Sequence, residues 1–276
     1  MCCADGGVGP TTDKEFLGSI CHLYTSDGTK AKFPVEKHRY VLYVAAGCPF
    51  AARPWLVQSI YGLPIEIVKV FPATETDGWF FEPKSEGELK LVDNVPDASV
   101  DADPYGNHHL SQLYKVANPN FEGVVSVPLL WDKVSNTAVS NSSLGLSEML
   151  AVQLKPHLAS RNQHLELYPD STSNVTAAKE HSDLVKWIHS NVTTVVYKIA
   201  RTGTGKKHDD MIHDYYAALG NLEQRLSKND QKGTTEFLMG EQVRFADVLL
   251  WISLLRLDLC YQFRFGLGKM SIRDGK

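Results

Sequence analysis

Gly47, Cys48 and Pro49 lie where an apolar, β-branched run gives way to a helical one, and that placement gives the cysteine a chemistry. The unpaired N–H groups of a helix's first turn, backed by the helix dipole, stabilise an anion there. A thiol held in that position has its pKa lowered, is a thiolate at neutral pH and serves as a nucleophile. Such a thiol is expected to be solvent-accessible and to alkylate ahead of Cys21 or Cys260. Arg53, further along the same segment, adds positive charge if its side chain turns back. A small buried hydrophobe is the other reading of a lone cysteine. Val127-Pro128 is the second feature, since proline inside an apolar strand-like run belongs at an edge or a special turn. A cis bond there turns the preceding backbone outward and offers its N–H and C=O to a peptide-like ligand. A proline that only starts a strand is the alternative.

Regular elements have to position these residues. Residues 39–45 (RYVLYVA) read as a buried strand. Pro49 suits a first helical position, and 51–61 read as a helix stopped by Gly62 and Pro64. Pro54 falls inside that helix, at a cost of up to ~3 kcal/mol unless the helix bends. Residues 66–71 (EIVKVF) read as a second strand, so that strand–helix–strand begins a parallel sheet. A long polar stretch, 72–105, reads as a loop that carries function or an insertion. Residues 109–117 read as a short helix, 126–131 and 137–140 as an antiparallel pair, and 142–154 as a helix.

Beyond a linker the pattern is helical. Residues 177–199 carry Leu184, Trp187, Ile188, Val195 and Val196 on helical spacing, although the β-branched run 192–196 also fits a strand. Residues 211–226 form an apolar stripe, and 246–265 are apolar nearly all round, which predicts a buried central helix. The expected organisation is an arm over 1–38 with one extended piece at 20–24, a mixed α/β domain over 39–155, a linker over 156–175 and an all-α domain over 176–276.

Bulk composition excludes several classes. With 276 residues, 43% hydrophobic and 22% charged, the chain has the balance of a globular protein. A net charge of −4 and no basic cluster interleaved with aromatics argue against nucleic acid. No apolar run reaches the ~18 residues of a membrane span, and no secretion signal opens the chain. Cys2 and Cys3 read as incidental thiols at a frayed terminus. Five irregularly spaced cysteines suggest neither a disulfide framework nor a metal site, and fit a reducing, cytoplasmic compartment.

A set of short motifs occurs in one order: 40–53 (YVLYVAAGCPFAAR), Gly78-Trp79, 127–133 (VPLLWDK), 138–143 (AVSNSS), 196–198 (VYK), Ala246-Asp247 and 256–261 (RLDLCY). In that order and spacing, from about Tyr40 to the C-terminus, the chain resembles the xi-class glutathione transferases, the glutathionyl-hydroquinone reductases. The resemblance implies a thioredoxin-like N-terminal domain and a helical C-terminal domain, with glutathione as co-substrate in the cleft between them. It implies Cys48 as nucleophile, and Trp79, Val127 (through its backbone), Pro128, Ser142 and Ser143 around glutathione. It also implies Tyr197 and Tyr261 as hydroxyls facing an aromatic, quinone-like second substrate, in a homodimer.

Four departures bear on that reading. The family's Cys-Pro-Trp-Ala-His-Arg is Cys48-Pro49-Phe50-Ala51-Ala52-Arg53 here, and its Asn-Glu-Ser is Asn141-Ser142-Ser143. Ser143 keeps a hydroxyl at a helix N-terminus, suited to a carboxylate. Ser142 lacks the charge that pairs with the γ-glutamyl ammonium, a loss of ~1.5–3 kcal/mol. The helix start Thr-Glu-Ala-Asp is Arg244-Phe245-Ala246-Asp247, which leaves half a capping box. The chain is also expected to stop short of the segment that supplies a last helix and a third tyrosine. These departures define the competing reading, a catalytically degenerate relative kept as an interaction or assembly subunit.

Overall fold

The computed structural model describes Phe16 and residues 31–72, 78–81, 100–230 and 237–267. Cys2, Cys3, Cys21, the extended piece expected at 20–24 and much of the 72–105 stretch lie outside the described residues. The chain divides into two compact units, Met1–Gln163 and His164–Lys276.

The first unit is built on a four-stranded mixed sheet in the order β2-β1-β5-β6. Strand β1 (Tyr40–Val44) is buried along its whole length, as its unbroken aromatic and β-branched run requires. It pairs in parallel with β2 (Glu66–Lys69), Leu42 facing Ile67, and antiparallel with β5 (Leu129–Asp132), Leu42 facing Leu130. Strand β6 (Thr137–Ser140) closes the other edge against β5. Two short strands, β3 (Phe71–Pro72) and β4 (Trp79–Phe80), pair separately. Among the described residues the unit has three α-helices: α1 (Pro49–Tyr61), α2 (Leu110–Ala117) and α3 (Ser143–Gln153). Helix α1 ends at Gly62, whose φ of 62° is the left-handed conformation that glycine adopts without strain.

Two buried carboxylates pin this frame. Asp132, fully buried at the end of β5, accepts from Arg39 Nε at 2.8 Å and Nη2 at 2.7 Å. Burial opposes its charge, but Arg39, the Ser135 hydroxyl and the Val134 N–H together hold its pKa below the usual carboxylate range. Asp103 accepts from the Tyr43 hydroxyl of β1 at 3.0 Å and from the Asn107 side chain at 2.7 Å, fixing the loop that leads to α2.

The second unit is helical: α4 (Val175–Ile188), α5 (Val195–Thr202), α6 (Lys206–Asp230), α7 (Phe245–Arg256) and α8 (Gln262–Phe265). Helix α4 packs against α7, and α5 against α6 and α8. The β-branched run that left helix and strand both open becomes a widened π turn, His189–Thr193, followed by α5. The His189 carbonyl accepts the Thr194 N–H, five residues on, at 3.0 Å, and the Thr193 and Thr194 hydroxyls add to it at 3.0 and 2.8 Å. A second π turn, Leu257–Tyr261, joins α7 to α8.

The expectation of a central helix buried on all sides over 246–265 is not met. Trp251 is 53% exposed and Phe263 85%, with Leu255 and Leu259 exposed between them. Apolar content all round a helix therefore did not decide its burial here. At the start of α7, Asp247 Oδ2 accepts from the Arg244 N–H at 2.8 Å, while the Arg244 guanidinium, which has no acceptor atom, donates to Glu166 Oε2 at 2.6 Å. His181 Nε2 accepts the Ala246 N–H at 3.3 Å, a further partner for the first turn.

Candidate active site

Cys48 is the N-cap of α1, in extended conformation with φ −89° and ψ 115°. Its N–H donates to the Ala45 carbonyl and its own carbonyl accepts from Ala52, both at 3.0 Å. The strand–turn–helix placement read from the sequence is therefore present, with Pro49 as the first helical residue. Exposure is different from the expectation: Cys48 is 1% exposed. Its Sγ lies 3.8 Å from the Val127 carbonyl oxygen, the geometry of a thiol donating to a backbone acceptor.

Val127-Pro128 is a cis peptide bond, and it faces the same thiol. Strand β5 begins only at Leu129, so Pro128 removes no ladder bond from it. Trp79, buried in β4, follows Gly78, whose φ of 92° only glycine adopts readily.

Ser142 and Ser143 stand at the start of α3 and do different jobs. Ser142 is its N-cap, and its hydroxyl accepts from the Gly145 N–H at 3.3 Å. Ser143 is buried, and its hydroxyl donates inward to the Phe50 carbonyl at 2.8 Å. This differs from the carboxylate-facing hydroxyl expected at the helix N-terminus. Arg53, also buried, donates from Nη1 to Ser143 Oγ at 3.2 Å, with its guanidinium 4.5 Å above the Phe50 ring. Its positive charge is thus directed at α3 and the aromatic face.

In the helical unit, the Tyr197 and Tyr261 hydroxyls lie 3.1 Å apart. Phe265 completes the group: it stacks on Tyr261 with centroids 5.2 Å apart and planes at 11°, and meets Tyr197 at 5.3 Å. Sequence reasoning did not single out Phe265. Its spacing from Tyr261, one helical turn on, was the available signal. Among the described residues no group of three or more His, Cys, Asp or Glu could hold a metal ion, and no helix is long and apolar enough to cross a membrane.

A thiol at a helix N-terminus beside a cis-proline, on a β2-β1-β5-β6 sheet and followed by a helical unit, defines the class: a glutathione-transferase fold with a thioredoxin-like first unit. No family model matches the chain. It is 31% identical over 273 residues to the glutathionyl-hydroquinone reductase YqjG of Escherichia coli, covering 98% of this chain and 70% of the relative. The glutathione-bound structure of YqjG superposes with a TM-score of 0.77 at 29% identity, over 94% of this chain and 77% of that one. The crystal structure of glutathione transferase Xi 1 from Trametes versicolor superposes with a TM-score of 0.76 at 30% identity, over 96% and 82%. The chain belongs to the xi-class glutathione transferase family, the glutathionyl-hydroquinone reductases.

Proposed function

We propose that this protein is a glutathione-dependent thiol reductase acting on glutathionyl-hydroquinone-like conjugates through a mixed disulfide at Cys48. The Cys48 thiolate attacks the glutathione sulfur of the conjugate, forming an S–S bond as the aromatic C–S bond breaks. The displaced electron pair stays on the ring carbon, which takes a proton, and the hydroquinone departs. A second glutathione thiolate then attacks the glutathione sulfur of the mixed disulfide, releasing oxidised glutathione and the Cys48 thiolate.

One observation carries this reading: in a chain of this family, Cys48 stands at the head of α1 with its sulfur against the Val127 carbonyl that precedes cis-Pro128. We assign the Val127 backbone, Pro128 and Trp79 to glutathione, with Ser142 and the backbone N–H of Ser143 at its γ-glutamyl end, and the Tyr197–Tyr261 pair to the aromatic substrate. A homodimer in the cytoplasm, where glutathione is reduced, fits this chemistry. The competing reading, a non-catalytic assembly subunit, is favoured by the burial of Cys48 and by serine at position 142. Turnover of a glutathionyl-hydroquinone by the purified protein, lost in Cys48→Ser, is the expected result. No turnover by the parent protein overturns the enzyme reading.

A further inference from the structure

Helix α1 contains a defect with a partner outside it. In a regular helix the N–H of residue 54 would donate to the carbonyl of Phe50, but position 54 is proline and has no N–H to give. The Phe50 carbonyl instead accepts from the hydroxyl of Ser143 at 2.8 Å, across 93 residues of sequence and within the buried interior. A serine hydroxyl has one proton, and this contact uses it. Its lone pairs remain, and one accepts from Arg53 Nη1 at 3.2 Å. Ser143 is itself held at its carbonyl, which accepts from the Ser147 hydroxyl at 2.9 Å.

We propose that Ser143 is a positioning residue for Cys48, its hydroxyl supplying to α1 the hydrogen bond that Pro54 removes and leaving the γ-glutamyl carboxylate no hydroxyl proton to accept. Phe50 lies two residues beyond Cys48 in the same first turn, so the contact that fixes its carbonyl also fixes the turn that begins at Cys48. Relevance to turnover rests on the function proposed above, but the coupling of positions 54 and 143 does not. It follows that alanine at 54, which restores an N–H in place, makes the Ser143 hydroxyl dispensable.

The test is a cycle of Ser143→Ala, Pro54→Ala and the double variant. Denaturant midpoints, iodoacetamide labelling of native Cys48 followed by mass spectrometry, and calorimetric titration with glutathione are read for each. Ser143→Ala is expected to lower the midpoint and speed Cys48 labelling roughly fivefold, as the loss of one buried hydrogen bond loosens the first turn. In the double variant labelling is expected to return to within about twofold of the parent, and Ser143→Thr, which keeps a hydroxyl, to resemble the parent. If Ser143→Ala alone does not fold, a folded double variant supports the coupling, and an unfolded one overturns it. Equal defects in both Ser143→Ala backgrounds, or glutathione affinity lost alike with and without Pro54→Ala, overturn the proposal by making the hydroxyl a ligand. A parent that binds no glutathione counts against the proposed function, while the midpoints and labelling rates still read the coupling.

Discussion

The sulfur of Cys48 and the carbonyl oxygen of Val127 lie 3.8 Å apart, one at the head of α1 and the other just before a cis-proline. With Cys48 1% exposed and Cys260 half-buried, access opposes the activation that the helix terminus provides. Iodoacetamide is therefore expected to label Cys260 before Cys48 in the native protein, the reverse of the order expected from sequence. Peptide mapping across a time course checks this. Prior labelling of Cys48 would show that the 127–128 segment opens readily.

Ser142 caps α3 through its hydroxyl on the Gly145 N–H, so Ser142→Glu has two opposed effects. Removing the cap is expected to cost about 1 kcal/mol of stability. Adding a carboxylate for the γ-glutamyl ammonium is expected to tighten glutathione binding by ~1.5–3 kcal/mol. Calorimetric titration and denaturant unfolding read the two separately. Unchanged, measurable affinity would mean that another group already serves the ammonium.

Tyr197 and Tyr261 share one hydroxyl–hydroxyl contact, so Tyr197→Phe and Tyr261→Phe remove the same bond from opposite sides. Each is expected to lower kcat/KM for the aromatic conjugate by about tenfold, with glutathione affinity unchanged. The double variant is expected to fall short of the product of the single defects. Steady-state kinetics with a glutathionyl-hydroquinone measures all three, and a defect confined to glutathione affinity would sink the assignment.

His181 sits buried against Tyr168 and accepts the Ala246 N–H, a role open only to a neutral ring nitrogen. Burial, with Arg244 nearby, pushes its pKa down to about 4. The unfolded chain, titrating near 6.5, takes up the proton first as pH falls. The stabilising contribution is thus complete above about pH 6.5 and is lost as pH falls through 6.5 toward 4, by up to about 3 kcal/mol. Denaturant midpoints of parent and His181→Gln across that window check this. The parent's slope there is expected to be the steeper one.

The mixed sheet, α1 and the cysteine at its head were all readable from residue order, because each depends on contiguous patterns: an apolar run, a Gly-Cys-Pro break, a glycine stop. Ser143 shows what was not readable. Its expected task followed from its place in a motif, whereas its actual partner is a carbonyl on another helix, exposed to it by a proline 89 positions earlier in the chain. Such a pairing has no local signature. The burial of Cys48 is of the same kind, since the carbonyl that meets it comes from a distant loop.

The π turn at Leu257–Tyr261 carries one more residue than a regular helical turn in the same stretch. The extra residue is held within a single turn, so losing one of residues 257–260 would close it to an ordinary turn and leave the helix beyond it near its present phase. Tyr261 and Phe265 would still face Tyr197, whereas a deletion in the regular part of α7 would carry them about 100° around the axis. The aromatic trio is therefore insulated against a change of chain length at the π turn itself, and a relative could lack that residue with the trio intact.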